Sequence, residues 1–459
     1  MIAETSIEHL ENQLRGALIR PGDDNYDAAR AVYNGTIDKR PAGIAQCTSV
    51  ADVIACVDFA REHGLLLAVR GGGHNGPGLG TCEGGLVVDL SAMNGVRIDP
   101  ARRTAQVEGG ATWGDVDHAA HAFGLASVNG IISTTGVGGL TLGGGHGYLS
   151  RKYGLAIDNL LEADVVLADG RFVTASADEH ADLFWALRGG GGNFGVVTSF
   201  TFKLHPVDTI VGGPTFWPPE QAADVLRWYA GFIREAPEDL YGWFGFVQVP
   251  PVPPFPEALH GRTMAAVMWC YIGPEEQADE AFAPVEQVGD LAFNGIQAMP
   301  YPALQSAFDA LYPRGIHCYW KGDFVKELTD EAVEAHLEYG LALPSPLSTM
   351  HLYPINGAVH RVGEDETAWS YRDVTWSMVI GGFHTDGSRN EELAAWANDY
   401  WKALHPHSAG GAYLNFMMEE GEDRIRATYR DNYERLTRIK AKYDPDNLFR
   451  VNQNIPPAA

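Results

Sequence analysis

Cysteine is scarce in this 459-residue chain. There are five (Cys47, Cys56, Cys82, Cys270, Cys318), an odd number with no C-x-x-C spacing. No disulfide framework or zinc site follows from them, so no metal site is expected. No apolar run reaches the roughly 18 residues that a membrane-spanning helix needs. The opening stretch, M-I-A-E-T-S-I-E-H-L-E, lacks the basic and apolar segments of a secretory leader. A cytoplasmic protein with no membrane partner is the expectation. Positive charge is in deficit: 33 Lys and Arg against 59 Asp and Glu give a formal net charge of −26. Nucleic acid demands cationic surface, so it is not an expected partner. The acidity serves solubility. P-loop, H-E-x-x-H and nucleophile-elbow motifs are absent, as are internal repeats.

Glycine, by contrast, is abundant: 53 residues, clustered in a few segments. Around them the apolar periodicity predicts ordinary elements. Residues 49–63 read as a helix with Val50, Val53, Ile54, Val57 and Ala60 on one face, stopped by Gly64. Strands are expected at 65–69, 85–90 and 103–108. A helix capped by Thr112 and Asp115 should run to Gly124. Asp169-Gly170 signals a hairpin within 163–176, a short helix follows at 182–187, and 195–204 reads as a long β-branched strand. The first part is therefore mixed α+β. After His205-Pro206 tryptophan and tyrosine become frequent. Strands at 262–272 and 375–383, with a helix at 391–404, suggest an antiparallel sheet covered by helices. Residues 422–443 read as one charged amphipathic helix, followed by a compact loop.

The most telling segment is Arg70 to Gly80, R-G-G-G-H-N-G-P-G-L-G. Glycines let backbone approach a ligand closely, and successive N–H groups can nest an anion. His74 would lie beside whatever that loop holds. Residues 136–148 (G-V-G-G-L-T-L-G-G-G-H-G-Y) form a second glycine-dense loop. Gly190-x-Gly192-x-x-Gly195 matches the dinucleotide fingerprint only as a pattern: a helix precedes it and a strand follows, the reverse of the required order. It is better read as a loop approaching a ligand or another backbone. His118 and His121 share a solvated helix face, and His405-Pro406-His407 reads as a loop. Tyr319, Trp320, His351, Tyr353 and His384 are weaker pocket candidates, each more simply read as core.

R-G-G-G-H at 70–74, G-V-G-G-L-T-L-G-G-G-H-G at 136–147, G-G-G-N-F-G-V-V at 190–197 and Y-D-P-D-N-L-F-R-V-N-Q-N-I at 443–455 together resemble one family. It is the berberine-bridge-enzyme-like branch of the vanillyl-alcohol oxidase and p-cresol methylhydroxylase flavoproteins, and the likeness spans nearly the whole chain. The resemblance implies an α+β fold with a two-subdomain FAD-binding domain at residues 1–206. A substrate-binding domain at 207–410 and a segment at 411–459 returning to the FAD domain would follow. It implies FAD attached covalently through His74, which should raise the redox potential. Further cofactor contacts would come from Arg70, Gly71, Gly72, Gly73, Asn75 and Gly80. The second loop would add Thr135, Gly136, Gly138, Gly139, Gly143, Gly144, His146 and Gly147. The third would add Gly192, Gly195, Val196 and Val197, with Asn415 joining them from the C-terminal segment.

Tyr413, in Tyr413-x-Asn415, would sit above the flavin and assist removal of the substrate proton. Many relatives add a cysteinyl bond. Ile132 holds that position here, so single attachment is expected, and oligosaccharide oxidation is less favoured. Thr135 stands where a larger leucine blocks oxygen in some relatives, which favours an oxidase. Hydride would pass from a C–H of an alcohol, amine, phenol or sugar to flavin, with dioxygen reduced to hydrogen peroxide. The alternatives are a dehydrogenase with poor oxygen reactivity and a non-catalytic flavin-containing binding protein.

Overall fold

The structure, a computed structural model, describes residues 4–459, with side chains from residue 7. The first three residues of the stretch read for a leader lie outside it. In the first sheet, Gly43–Gln46, Leu86–Asp89 and Leu67–Arg70 run parallel, and Ala17–Ile19 pairs antiparallel at one edge. Parallel strands need a crossover, and the helix Val50–His63 carries the chain from Gly43–Gln46 to Leu67–Arg70, with Leu86–Asp89 lying between them. It starts where the Ser49 side chain accepts the Asp52 N–H and ends at Gly64, whose φ of 62° a side chain would disfavour. Its expected apolar face is buried at Val53, Val57 and Ala60.

The second sheet is antiparallel, in the order Val96–Asp99, Thr104–Glu108, Val196–Lys203, Leu160–Val166, Phe172–Ser176. Thr112 and Asp115 form a reciprocal capping box on the helix Trp113–His121. Gly170, at φ 83°, turns the expected hairpin.

The second half of the chain builds an eight-stranded antiparallel sheet. Five of its strands lie side by side in the order Thr263–Tyr271, Leu240–Gln248, Thr349–Pro354, Trp376–His384 and His317–Val325, the last of them at the edge. Side chains alternate faces along a strand. Phe244, Met350, Leu352, Met378 and Ile380 therefore point one way, into a core shared with the helices Ala222–Glu235 and Asn390–Leu404. Trp243, Tyr353, Val379 and Trp320 point the other way, toward Tyr33, Val128 and Tyr148 of the first half. Both faces are covered, which is why these strands read as continuous apolar runs.

Two sequence expectations need correction. The stretch 422–443 is not one helix. Glu422–Tyr429 and Tyr433–Tyr443 are separated by a tight turn at Arg430–Asn432. Arg430 takes φ 46°, while its guanidinium pairs with Asp373 at 2.9 Å and stacks 3.6 Å from the Tyr371 ring. These contacts with distant residues offset a backbone conformation that a non-glycine residue rarely adopts. The second glycine segment is not all loop, because Val137–Leu142 is helical.

Candidate active site

A cavity of about 350 Å³ lies between the glycine loops and the inner face of the large sheet. Of the residues singled out from sequence, Arg70, Gly71, Gly72, Gly73, His74, Asn75 and Gly80 line it. So do Thr135, Gly136, Gly138, Gly139, His146, Gly192, Gly195, Val197, Tyr413 and Asn415. Two loops meet here backbone to backbone. A Cβ on Gly72 would lie 2.4 Å from Gly136 N, and one on Gly136 would lie 2.3 Å from Gly72 N. Neither position tolerates a side chain unless the loops separate.

Gly143, Gly144, Gly147 and Val196 do not line the cavity. A Cβ on Gly143 would strike the Asn415 amide at 2.5 Å, and one on Gly144 the Trp369 ring at 2.3 Å. At Gly147 it would strike the carbonyls of Asn129 and Gly130, both at 2.3 Å. These glycines make room for packing neighbours. Val196 points into the apolar core with Val88 and Val166.

His74 is half-buried and stacks on Tyr33, with ring centroids 4.1 Å apart. Its Nε2 lies 3.2 Å from Thr134 Oγ1. Nδ1 has no protein partner among the described residues. Burial, and then the nearby Arg314 cation, push the pKa down to about 4, against a smaller opposing effect of a hydrogen bond with Thr134. The imidazole is therefore neutral at pH 7 and keeps a nucleophilic lone pair. Arg314 is held by the carbonyls of Gly72 (3.2 Å) and Ala31 (3.0 Å). Arg70 pairs with buried Asp89 at 2.7 Å.

The Tyr413 oxygen accepts two hydrogen bonds, from Asn415 Nδ2 (2.7 Å) and Gly145 N–H (3.2 Å). The same Asn415 nitrogen faces the carbonyls of Gly139 (3.2 Å) and Leu140 (3.3 Å), which fixes its identity as the donor. Burial raises the Tyr413 pKa well above the ordinary phenol value; the two donors hold it down by less. No cation among the described residues takes part. His146 lies against Tyr413, with ring centroids 4.6 Å apart, and its Nε2 is 3.1 Å from Ser377 Oγ.

The C-terminal loop completes the cavity with Phe449, Val451, Asn452 and Gln453, lining residues that were not singled out from sequence. A fully buried ion pair anchors it. Lys440 Nζ meets Asp444 at 2.6 Å and donates to the carbonyls of Asn193 (2.7 Å) and Phe449 (2.9 Å). Asp444 in turn accepts the N–H groups of Leu448 and Phe449. Lys440 thus ties the C-terminal loop to the third glycine loop. Its spacing from Asp444, four residues on, was the one available signal. Removing one partner of such a pair leaves a bare buried charge, typically costing about 3–5 kcal/mol. Lys440→Met should show that loss in chemical denaturation; an unchanged midpoint would contradict this anchoring.

The residues present fit a flavin dinucleotide. Cavity-lining Gly139 and Gly192 have nothing within 4 Å of a built Cβ, so a side chain there would project into open space. Buried Asn452 Oδ1 and Arg70 Nη1 have no protein partner among the described residues, leaving polar groups for a ligand. Gly192→Leu should leave thermal stability close to wild type and abolish flavin loading. Full loading in that variant would remove the third loop from the cofactor site.

A family model for an FAD binding domain matches residues 41–176, and one described as berberine and berberine-like matches residues 412–456. A FAD-linked oxidoreductase of Dictyostelium discoideum is 31% identical over 97% of this chain and 95% of its own. The chain belongs to the berberine-like FAD-linked oxidoreductases. It is an enzyme that uses FAD. The structure of 6-hydroxy-D-nicotine oxidase from Arthrobacter nicotinovorans superposes with a TM-score of 0.87 at 29% identity, covering all of both chains. A chitooligosaccharide oxidase superposes at 0.85 with 25% identity, over 99% of this chain and 100% of its own. The mixed α+β architecture is that of these berberine-like enzymes.

In this berberine-like cavity, Ile132 and Thr135 both line the wall, and no cysteine does among the described residues. Trp320, His351 and Tyr353, read from sequence as core first, are cavity residues; Tyr319 and His384 are not. The third glycine loop has the order expected, with the helix Ala181–Leu187 before it and the strand Val196–Lys203 after. His121 pairs with Asp208 at 3.2 Å, and no group of three or more metal-ligating side chains occurs among the described residues. No helix there is long and apolar enough to cross a membrane.

Proposed function

We propose that this protein is a covalently flavinylated oxidase of small alcohols, phenols, amines or sugars. Residues 1–206 and 411–459 would hold the cofactor and 207–410 the substrate. The observation that carries the reading is one cavity bringing together a neutral histidine, three glycine loops and the Tyr413–Asn415 pair. His74 would form the single covalent bond to the flavin, since Ile132 replaces the second attachment point. FAD, when bound, supplies a two-electron acceptor that takes hydride from a substrate C–H bond and returns electrons to dioxygen, giving hydrogen peroxide.

The protein's own work is positioning and proton transfer. Asn415 and the Gly145 N–H fix the Tyr413 oxygen and favour its phenolate, the form able to take a substrate proton. Burial opposes this, so the reactive form is scarce at neutral pH. Thr135 leaves more room at the cavity wall than a leucine would, which supports dioxygen as the acceptor. The test is anaerobic reduction of the bound flavin by a panel of these substrate classes, followed by admission of air. Rapid reoxidation with peroxide release is expected. Slow reoxidation would point to a dehydrogenase. Flavin that none of them reduces would point to a binding protein.

A further inference from the structure

On the sheet side the cavity carries no permanent charge among the described residues. Its walls are Phe308, Tyr312, Trp320, Val379, Phe383 and Phe416. Among the described residues the one permanently charged lining group is Arg70, on the glycine-loop side, already paired with Asp89. Burial holds His146 and His351 neutral, each with its pKa near 3. A protein with 59 acidic residues thus presents its substrate with a wall free of carboxylates.

Two polar side chains interrupt that wall. His351 and Tyr353 sit two residues apart on Thr349–Pro354, so they share a face of the strand. His351 Nδ1 and Tyr353 Oη are hydrogen-bonded at 2.5 Å. Gly245 lies opposite His351 on the neighbouring strand, and a Cβ there would reach within 2.8 Å of the imidazole. Trp243 flanks the ring at 4.0 Å between centroids. The pair is therefore seated firmly, while His351 Nε2 has no protein partner among the described residues. The other wall hydroxyls are engaged: Thr349 donates to the Phe246 carbonyl (2.9 Å) and Tyr312 to that of Leu347 (3.2 Å). The Trp320 indole N–H faces the backbone at Gly76.

We infer that the sheet side of this cavity binds a neutral, flat aromatic molecule and holds its hydroxyl at the His351–Tyr353 pair. This rests on the proposed flavin site, because the cofactor must take the glycine-loop side. Buried charge is unfavourable without a partner, and the wall supplies none for a carboxylate. A saccharide presents several hydroxyls per ring, more than the few unpartnered nitrogens of this wall, on His351, His146 and Trp320, can serve. Aromatic walls instead suit a flat ring, which stacks on them without needing further hydrogen bonds.

The test is equilibrium binding to the flavin-loaded protein, read from the flavin difference spectrum, with 2-naphthol, naphthalene, 2-naphthoate and xylobiose. Naphthol should bind up to about tenfold tighter than naphthalene, the worth of one net hydrogen bond. Naphthoate and xylobiose should bind more weakly than naphthol. In both Tyr353→Phe and His351→Leu the preference for naphthol over naphthalene should vanish, with naphthalene binding retained as the check that the cavity is intact. Naphthoate or xylobiose binding as tightly as naphthol would overturn the inference. So would an undiminished naphthol preference in the two variants. Binding is the readout, so flavin that no substrate reduces would count against the proposed function and leave this inference standing.

Discussion

Tyr413→Phe should slow anaerobic flavin reduction by roughly 10²–10⁴-fold, the usual worth of a positioned general base. The ring remains, so its packing against His146, Trp369 and Phe416 is kept. Only the oxygen between Asn415 and Gly145 is lost. The pH dependence sharpens the expectation. Burial places the Tyr413 pKa above the ordinary phenol value, so the phenolate is a minor form throughout the neutral range. Its population grows about tenfold per pH unit below that pKa. The wild-type reduction rate should therefore climb with pH through the neutral range and beyond, while the phenylalanine variant should not. Asn415→Leu should lower the wild-type rate by removing one of the two donors. A flat wild-type profile, or reduction by Tyr413→Phe at the wild-type rate, would take the tyrosine out of the chemistry.

The second large effect is expected at His74. Replacement by alanine should release the flavin on denaturation and lower the potential of any flavin that still binds. The substituted flavin carries an electron-withdrawing nitrogen at its methyl group, and the variant's does not, so reduction should also slow. Neutrality of the imidazole is central here. With its pKa near 4, His74 is an available nucleophile at pH 7. Its Nε2 is turned toward Thr134, and Nδ1 is left without a protein partner. Flavin that stays attached to the denatured variant would rule out this linkage.

Much of this was legible in the chain because it is local. Ser49, Thr112, Gly64 and the Asp169-Gly170 turn act within a few residues, and each sits at the element boundary or turn its chemistry predicts. The glycine loops and His74 could be found because close backbone approach requires glycine in any context. What was not legible depends on residues far apart in sequence. Arg430 breaks a helix that its own neighbours favour, and the partners it meets there, Asp373 and Tyr371, lie more than fifty positions away. Gly143, Gly144 and Gly147 look like ligand glycines in the motif but make room for Asn415, Trp369 and a neighbouring loop. His351 and Tyr353 read as core because both faces of their sheet are covered. Only the third dimension shows that one face is covered by a cavity.

The central claim is that His74 and the cavity around it hold FAD by a covalent bond. Acid precipitation of the purified wild-type protein, with absorption spectra of pellet and supernatant, tests it most directly. The account expects an oxidised-flavin spectrum in the washed pellet, redissolved under denaturing conditions, and none in the supernatant. A flavin spectrum confined to the supernatant would contradict it.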